Sequence, residues 1–342
     1  IFISMSDEEM NMNLSVRDKI TTDEIHQILI KSASDLISES TPNYQYVAAR
    51  LLNMSLRKSV WKHATTPPDL HLHICLMIDN GIYDEEMLKS WEREDVDELA
   101  SYIKHDRDNM FTYSGLQQLI DKYLIKNRTT GIIYETPQIA YMCIAMCLFS
   151  GYDNKVSRVK EAYDAYSTFK VNLPTPIMAG VRSTIKQFAS CVLVDVDDDL
   201  DGIFSSVHAV GKYTARRAGI GLNAGRIRPI NSPIRGGEVI HTGLIPYLKI
   251  FESSVKATSQ NGLRGGSATV HIPFWHYEIE DVLVLKNNAG TDDNRVRKLD
   301  YSIQFCKLFY DRLIKNEDIT LFSPDEAKGL YEVFGDNKKF EE

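Results

Sequence analysis

Apolar side chains in the first half of the chain recur at helical spacing, whereas those in the second half fall in short β-rich runs. Thr21-x-x-Glu24 is a capping-box pattern just ahead of Ile25, Leu29, Ala33, Leu36 and Ile37, and it predicts a helix there. Val47, Leu51, Leu52 and Leu56 repeat the spacing over Tyr44–Lys62. Ile139–Phe149 is apolar on all sides, which predicts a buried helix. No apolar run reaches the roughly 18 residues a membrane span needs. From about Leu173 the texture changes, with predicted strands over Ser190–Val196, Ala268–Ile272 and Val282–Leu285. Helices are expected between them, over Gly202–Ala218 and Asp300–Lys315. The alternation points to parallel α/β units, and the Pro-rich turn Leu173-Pro174-Thr175-Pro176 reads as the junction between the halves.

The 342 residues, 43% hydrophobic and 25% charged, supply core material for two or three domains and exclude collagen-like, disordered and disulfide-scaffold classes. Five cysteines, Cys75, Cys143, Cys147, Cys191 and Cys306, show no framework spacing and fit a reducing cytoplasm. The chain begins with Ile1, so the native start is expected at Met5 or further upstream. The polar end, Phe334–Glu342, reads as a cut at a surface loop. The acidic stretch Asp84–Asp108 reads as a solvated face.

Net charge is −8, which disfavours a whole-surface attraction to DNA or an anionic membrane. Locally the balance reverses. Residues 211–266 carry nine Lys/Arg against two Glu, a net of +7, and hold ten of the nineteen glycines. Glycine lets backbone N–H groups approach an anion, and arginine offers phosphate a planar fork. The window reads as a phosphate site rather than a nucleic-acid surface. Its Gly-rich pieces are Arg216–Gly225, Ser232–Glu238 and Gln260–Gly266. The first misses the dinucleotide fingerprint by one residue, and no G-x-x-x-x-G-K-[ST] run occurs.

Other candidates weigh less. His71-x-His73 lacks the ligands to complete a metal shell and reads as a pair of exposed loop histidines. His271, His276, Glu278 and Glu280 read as a strand end near Trp275. Cys143, Cys147 and Cys306 lie in apolar surroundings and read as core. Cys191 opens a strand and, by itself, reads as a buried structural thiol.

Several runs then occur in a telling order. They are Leu173–Met178, Ser190-Cys191, Arg217–Gly221, Ser232–Glu238, Leu263–Gly266, Val284–Asn288, Asn294–Arg297 and Asp318–Pro324. From about residue 9 onward the chain resembles the large, catalytic subunit of aerobic class I ribonucleotide reductase, of the bacterial and T4-like phage type. The fold implied is a helical N-terminal region followed by the first half of a ten-stranded α/β barrel. The implied divisions are a partial ATP-cone over 1–58, a helical domain over 59–172 and the half barrel over 173–342. In the family a thiyl radical takes the 3′ hydrogen of a ribonucleoside diphosphate, and a cysteine pair supplies two electrons as the 2′ hydroxyl leaves. Cys191 matches one member of that pair, and a thiol suits protonation of the hydroxyl followed by disulfide formation.

The resemblance implies substrate contacts at Thr175, Ser190, Ala218, Gly219, Gln260 and Arg264. It implies specificity-effector contacts at Asp198, Asp199 and Leu200, with Arg228 and Arg235 on the effector's phosphates. Thr22 and Lys58 match positions that contact ATP or dATP. The radical cysteine, the second redox cysteine and the tyrosine relay match no residue here, and Cys306 matches none of them. The resemblance therefore implies a piece needing a complementary C-terminal chain, inactive alone. It implies a small, metal-containing radical subunit, a homodimerising large subunit, a thioredoxin- or glutaredoxin-type reductant and dNTP/ATP effectors. No metal or cofactor is expected in this chain, and no nucleic-acid or membrane partner. A second reading is a non-catalytic nucleotide-binding regulatory module; a third, a nucleic-acid binder using the basic window, runs against the acidic total.

Overall fold

The computed structural model describes residues 19–62, 65–259 and 265–342. The chain divides into two compact units, one ending at Phe188 and the other spanning Ala189–Glu342. The Pro-rich turn lies inside the first unit, because the residues after it form a helix packed there.

The first unit is helical. Helices α1 (Thr22–Asp35) and α2 (Tyr44–Trp61) pack as a pair. Then come α3 (Leu70–Asp79), α4 (Arg93–Tyr102), α5 (Tyr113–Gln118), α6 (Pro137–Phe149), α7 (Lys155–Ser167) and α8 (Thr175–Gly180). The capping box closes α1 as its sequence predicts: the Glu24 N–H donates to Thr21 Oγ1 at 3.2 Å, and the Thr21 N–H to Glu24 Oε2 at 2.9 Å. α6 is buried from Pro137 to Met146 and forms the centre of the unit's core. Each of its large apolar side chains contributes about 1.5–3 kcal/mol by leaving water. A π-helical turn, Leu119–Tyr123, follows α5 and meets α8.

The acidic stretch is mostly solvated, but Asp108 is buried at 1% exposure. His71 and His73 stand on α3 rather than in a loop, and His73 is buried; the apolar spacing Leu70, Ile74, Met77 supplies the helix's inner face.

The second unit is an α/β layer. Its elements are β1 (Cys191–Asp195), α9 (Leu200–Ala215), β2 (Gly219–Asn223), a short antiparallel pair β3 (Pro233–Ile234) and β4 (Val239–Ile240), and α10 (Leu244–Thr258). They continue through β5 (Ala268–Pro273), α11 (Ile279–Leu283), β6 (Asp300–Gln304), α12 (Lys307–Lys315), α13 (Leu330–Val333) and α14 (Asn337–Glu341). The sheet order is β1-β2-β5-β6, every neighbouring pair parallel. A helical region followed by a parallel-strand α/β portion is the architecture the pattern predicts.

Three local readings change. Val282–Leu285 is not a strand. Ile279, Val282 and Leu285 recur every three residues and are buried, while Leu283 is 67% exposed, so the run is helical. Asp300–Lys315 is not one helix, because Asp300–Gln304 pairs with Thr269–Pro273 as a strand before α12 begins. Gly219–Asn223, read as part of a glycine turn, is strand β2, flanked on both sides by neighbours.

Candidate functional site

Four candidates meet at the N-terminal end of β1 and β2. Cys191 pairs in register with Gly219, and the Gly219 N–H donates to the Ser190 carbonyl at 2.8 Å. Ser190 Oγ lies 4.0 Å from Cys191 Sγ, and Ala218 is buried beside them in sequence. Cys191 is exposed, which overturns the buried-thiol reading. The reason is strand alternation. Val192 and Val194 pack against the core, which turns Cys191, Leu193 and Asp195 to the other face.

The residues paired with those three are Gly219, Gly221 and Asn223. On the Cys191-bearing face of β2 only Asn223 therefore carries a side chain, and Gly219 and Gly221 carry none. At Gly221 a Cβ would meet Leu193 Cδ2 at 2.6 Å. The glycines thus act on the sheet face, where they permit close approach of backbone to a neighbour.

The second group lies in the segments after β1 and β2. Arg228 grips Asp198 with a fork: Nε donates to Oδ2 at 2.8 Å and Nη2 lies 2.7 Å from Oδ2. The Arg228 backbone N–H adds a bond to Asp198 Oδ1 at 2.8 Å, and Nη1 reaches the Pro233 carbonyl at 3.1 Å. The neighbouring carboxylate holds the Arg228 guanidinium more firmly protonated. Asp199 caps α9 by accepting from the Gly202 N–H at 2.7 Å, and Leu200 is 57% exposed. Arg235 is exposed on the turn between β3 and β4, at φ 51°.

Asp198 and Arg228 line an open cleft of about 300 Å³ whose other walls include Asp197, Arg226, Asp325, Lys328 and Tyr331. Sequence reading missed Arg226 and Tyr331. Arg226 was countable in the basic window, but Tyr331 lies 108 residues from Asn223, its bonding partner, and carried no local signal.

In the helical unit, the Tyr123 hydroxyl lies 3.4 Å from Thr175 Oγ1 at the start of α8. Lys58 joins α2 to α1, donating to Thr22 Oγ1 at 3.2 Å and to Asp23 Oδ1 at 2.9 Å. Hydrogen bonding from Lys58 holds the Asp23 carboxyl below its ordinary range. Gln260 and Arg264 lie outside the described residues.

His276 is fully buried, with Nε2 2.9 Å from the Ile227 carbonyl and Nδ1 accepting from the Glu278 N–H. Glu278 Oε2 accepts from the N–H groups of Ile230 and Leu244, both at 3.0 Å. These groups brace the loop carrying Arg228. Among the described residues no three His, Cys, Asp or Glu side chains gather to hold a metal ion, and no helix is long and apolar enough to cross a membrane.

Two family profiles and several known proteins match the chain. The ribonucleotide reductase all-alpha domain profile matches residues 109–185, and the ribonucleotide reductase barrel domain profile matches residues 189–342. The chain is 49% identical to ribonucleoside-diphosphate reductase 1 subunit alpha of Escherichia coli strain K12, over 99% of this chain and 45% of that one. It is 47% identical to the ribonucleoside-diphosphate reductase subunit alpha of Enterobacteria phage T4, over 97% and 44%. For the Helicobacter pylori subunit alpha the identity is 34%, over 97% and 42%. The chain spans less than half the length of these relatives. By both domains and by these identities, the chain belongs to the family of class I ribonucleotide reductase large, or alpha, subunits.

Proposed function

We propose that this chain supplies one redox thiol, part of the substrate site and the specificity-effector site of a ribonucleoside-diphosphate reductase. The observation that carries the reading is the exposed Cys191 thiol paired with Gly219, which has no side chain, and with Ser190 adjoining. A ribose approaching at the Cys191–Gly219 pair meets a thiol and backbone groups, with no β2 side chain at that position. The Cys191 thiol gives its proton to the departing 2′ hydroxyl, which leaves as water. Cys191 and a second thiol, supplied by a complementary chain, together give up two electrons and become a disulfide; those electrons and the second thiol's proton replace the lost C2′–O bond with C2′–H. A small radical-generating subunit and a dithiol reductant complete the cycle. Thr175, Ala218, Gln260 and Arg264 complete the substrate contacts.

Asp198 and Arg228 serve the effector. Asp198 keeps lone pairs for a deoxyribose hydroxyl while it holds Arg228 for phosphate. Asp199, Leu200 and Arg235 extend that site. Thr22 and Lys58 belong to the remaining part of an ATP-binding cone.

The test is reconstitution. The chain is combined with a polypeptide carrying the rest of the subunit, the small subunit and a dithiol, and nucleoside-diphosphate reduction is followed. Cys191→Ser is expected to abolish turnover while dNTP binding persists. Undiminished turnover by Cys191→Ser would refute the redox role. No turnover by the wild-type reconstitution, with dNTP binding intact, would favour the non-catalytic regulatory module.

A further inference from the structure

We propose that Tyr331 is a positioning residue of the nucleotide cleft, fixing the loop 224–233 so that Arg228 is held ready for phosphate. The proposal rests on the effector reading of Asp198 and Arg228 and adds a distant stretch of chain to that site.

Arg228 stands near the middle of the loop, and residues 322–332 clamp the loop on both sides of it. On the later side, Ser232 Oγ lies 3.3 Å from Asp325 Oδ1 and 3.4 Å from Ser323 Oγ, and Ser323 and Asp325 bond each other. On the earlier side, the Arg226 guanidinium lies 4.6 Å from the centre of the Tyr331 ring, and its Nη1 is 2.9 Å from Glu332 Oε1. Asn223, the last residue of β2, donates from Nδ2 to the Tyr331 hydroxyl and to Asp195 Oδ1. Tyr331 thereby ties the ends of β1 and β2 to the loop that follows. Gly225 makes the approach possible, since a Cβ there would fall 3.1 Å from Tyr331 Cε2.

The latch also sorts the charges. Arg226 and Arg228 are two residues apart, with the fully buried Ile227 between them. Tyr331 and Glu332 engage Arg226, which leaves Asp198 to Arg228. Without the ring, Arg226 competes for Asp198, and the loop loses one of its two clamps.

The experiment is equilibrium binding of dTTP and dTMP to the 342-residue chain and its variants. Tyr331→Leu is expected to weaken dTTP about tenfold and leave dTMP nearly unchanged, because the outer phosphates need Arg228 most. Tyr331→Phe keeps the ring under Arg226 and is expected to cost dTTP about two- to fivefold, one neutral hydrogen bond. A merely structural role would weaken both ligands in proportion, leaving their affinity ratio unmoved. An unchanged dTTP affinity, or an unchanged ratio, in Tyr331→Leu overturns the proposal. If that variant does not fold, an unchanged ratio in both Tyr331→Phe and Glu332→Gln overturns it. A wild-type chain that binds neither dTTP, dATP nor dGTP overturns the effector reading itself, which is a separate failure.

Discussion

Arg182 and Glu135 meet inside the helical unit with both side chains sealed from water, at 1% and 0% exposure. Arg182 Nε donates to Glu135 Oε2 at 2.8 Å, and Nη2 bonds Oε1. The same guanidinium ties two backbone segments, reaching the Met178 carbonyl in α8 at 2.7 Å and the Tyr123 carbonyl at 3.2 Å. Glu135 in turn accepts from the Tyr83 hydroxyl at 2.6 Å and the Ile125 N–H at 2.7 Å. One ion pair therefore holds the π-turn carrying Tyr123 against the helix carrying Thr175. Glu135→Ala leaves a buried guanidinium unpaired and is expected to destabilise the chain by about 3–5 kcal/mol in urea unfolding. A loss under about 1 kcal/mol would mean that water or another acceptor satisfies Arg182.

Asp108 and His105 oppose each other in the pH dependence of stability. Burial pushes the Asp108 carboxyl up to about 6 from an ordinary 3.8, against hydrogen bonds from Gln138 and Arg57. Burial, with the Arg57 charge, pushes His105 down to about 4 from 6.5. Between those values folded Asp108 keeps a proton the unfolded chain has lost, so its contribution to stability grows as pH falls. Folded His105 refuses a proton the unfolded chain accepts, so its contribution is lost as pH falls through the same window. Asp108→Asn is expected to make acid destabilisation from about pH 6.5 to 4 steeper, and His105→Asn to make it shallower or reverse it. Denaturant midpoints across that range check the signs; parallel curves for all three proteins would contradict both assignments.

Gly225 is the least replaceable of the site glycines. A Cβ there would lie 2.4 Å from Pro273 Cδ, a ring that cannot turn aside. Gly225→Ala is expected to cost about 1–3 kcal/mol by overpacking. Gly151, with nothing within 4 Å of a built Cβ, is the control, and Gly151→Ala is expected to stay within about 0.5 kcal/mol. Equal melting temperatures for the two variants would show that β5 yields at Pro273.

Thiol accessibility separates the cysteines. Cys191 is exposed, Cys75 and Cys147 are half-buried, and Cys143 and Cys306 are buried. Brief maleimide labelling of the native chain, read by peptide mass, is expected to mark Cys191 well before Cys143 or Cys306. Burial pushes the Cys147 thiol up to about 12, so it is expected to lag despite its partial exposure. Labelling of Cys143 as fast as Cys191 would contradict the packing of α6.

Where local pattern carries the information, the sequence was sufficient. The capping box at Thr21, the apolar run of α6 and the β-rich start at Cys191 all describe interactions among residues close in the chain, and ordered motifs were enough to identify the family. Two errors were also local: Ile279–Leu285 has a buried three-residue spacing that its β-branched composition obscured, and Ile220 and Leu222 alternate with glycines as a strand should. What tertiary structure alone decided is which side chains meet across distance. Cys191 faces out because Val192 and Val194 fill the core beneath it, and that preference exists only once the sheet has a core. Asp198 finds Arg228, and Tyr331 finds Asn223 and Arg226, only after parallel strands bring their ends together. Charge counting located the basic window. The folded chain decided that two of its arginines are already engaged by carboxylates, because short-range electrostatics depends on distances no composition contains.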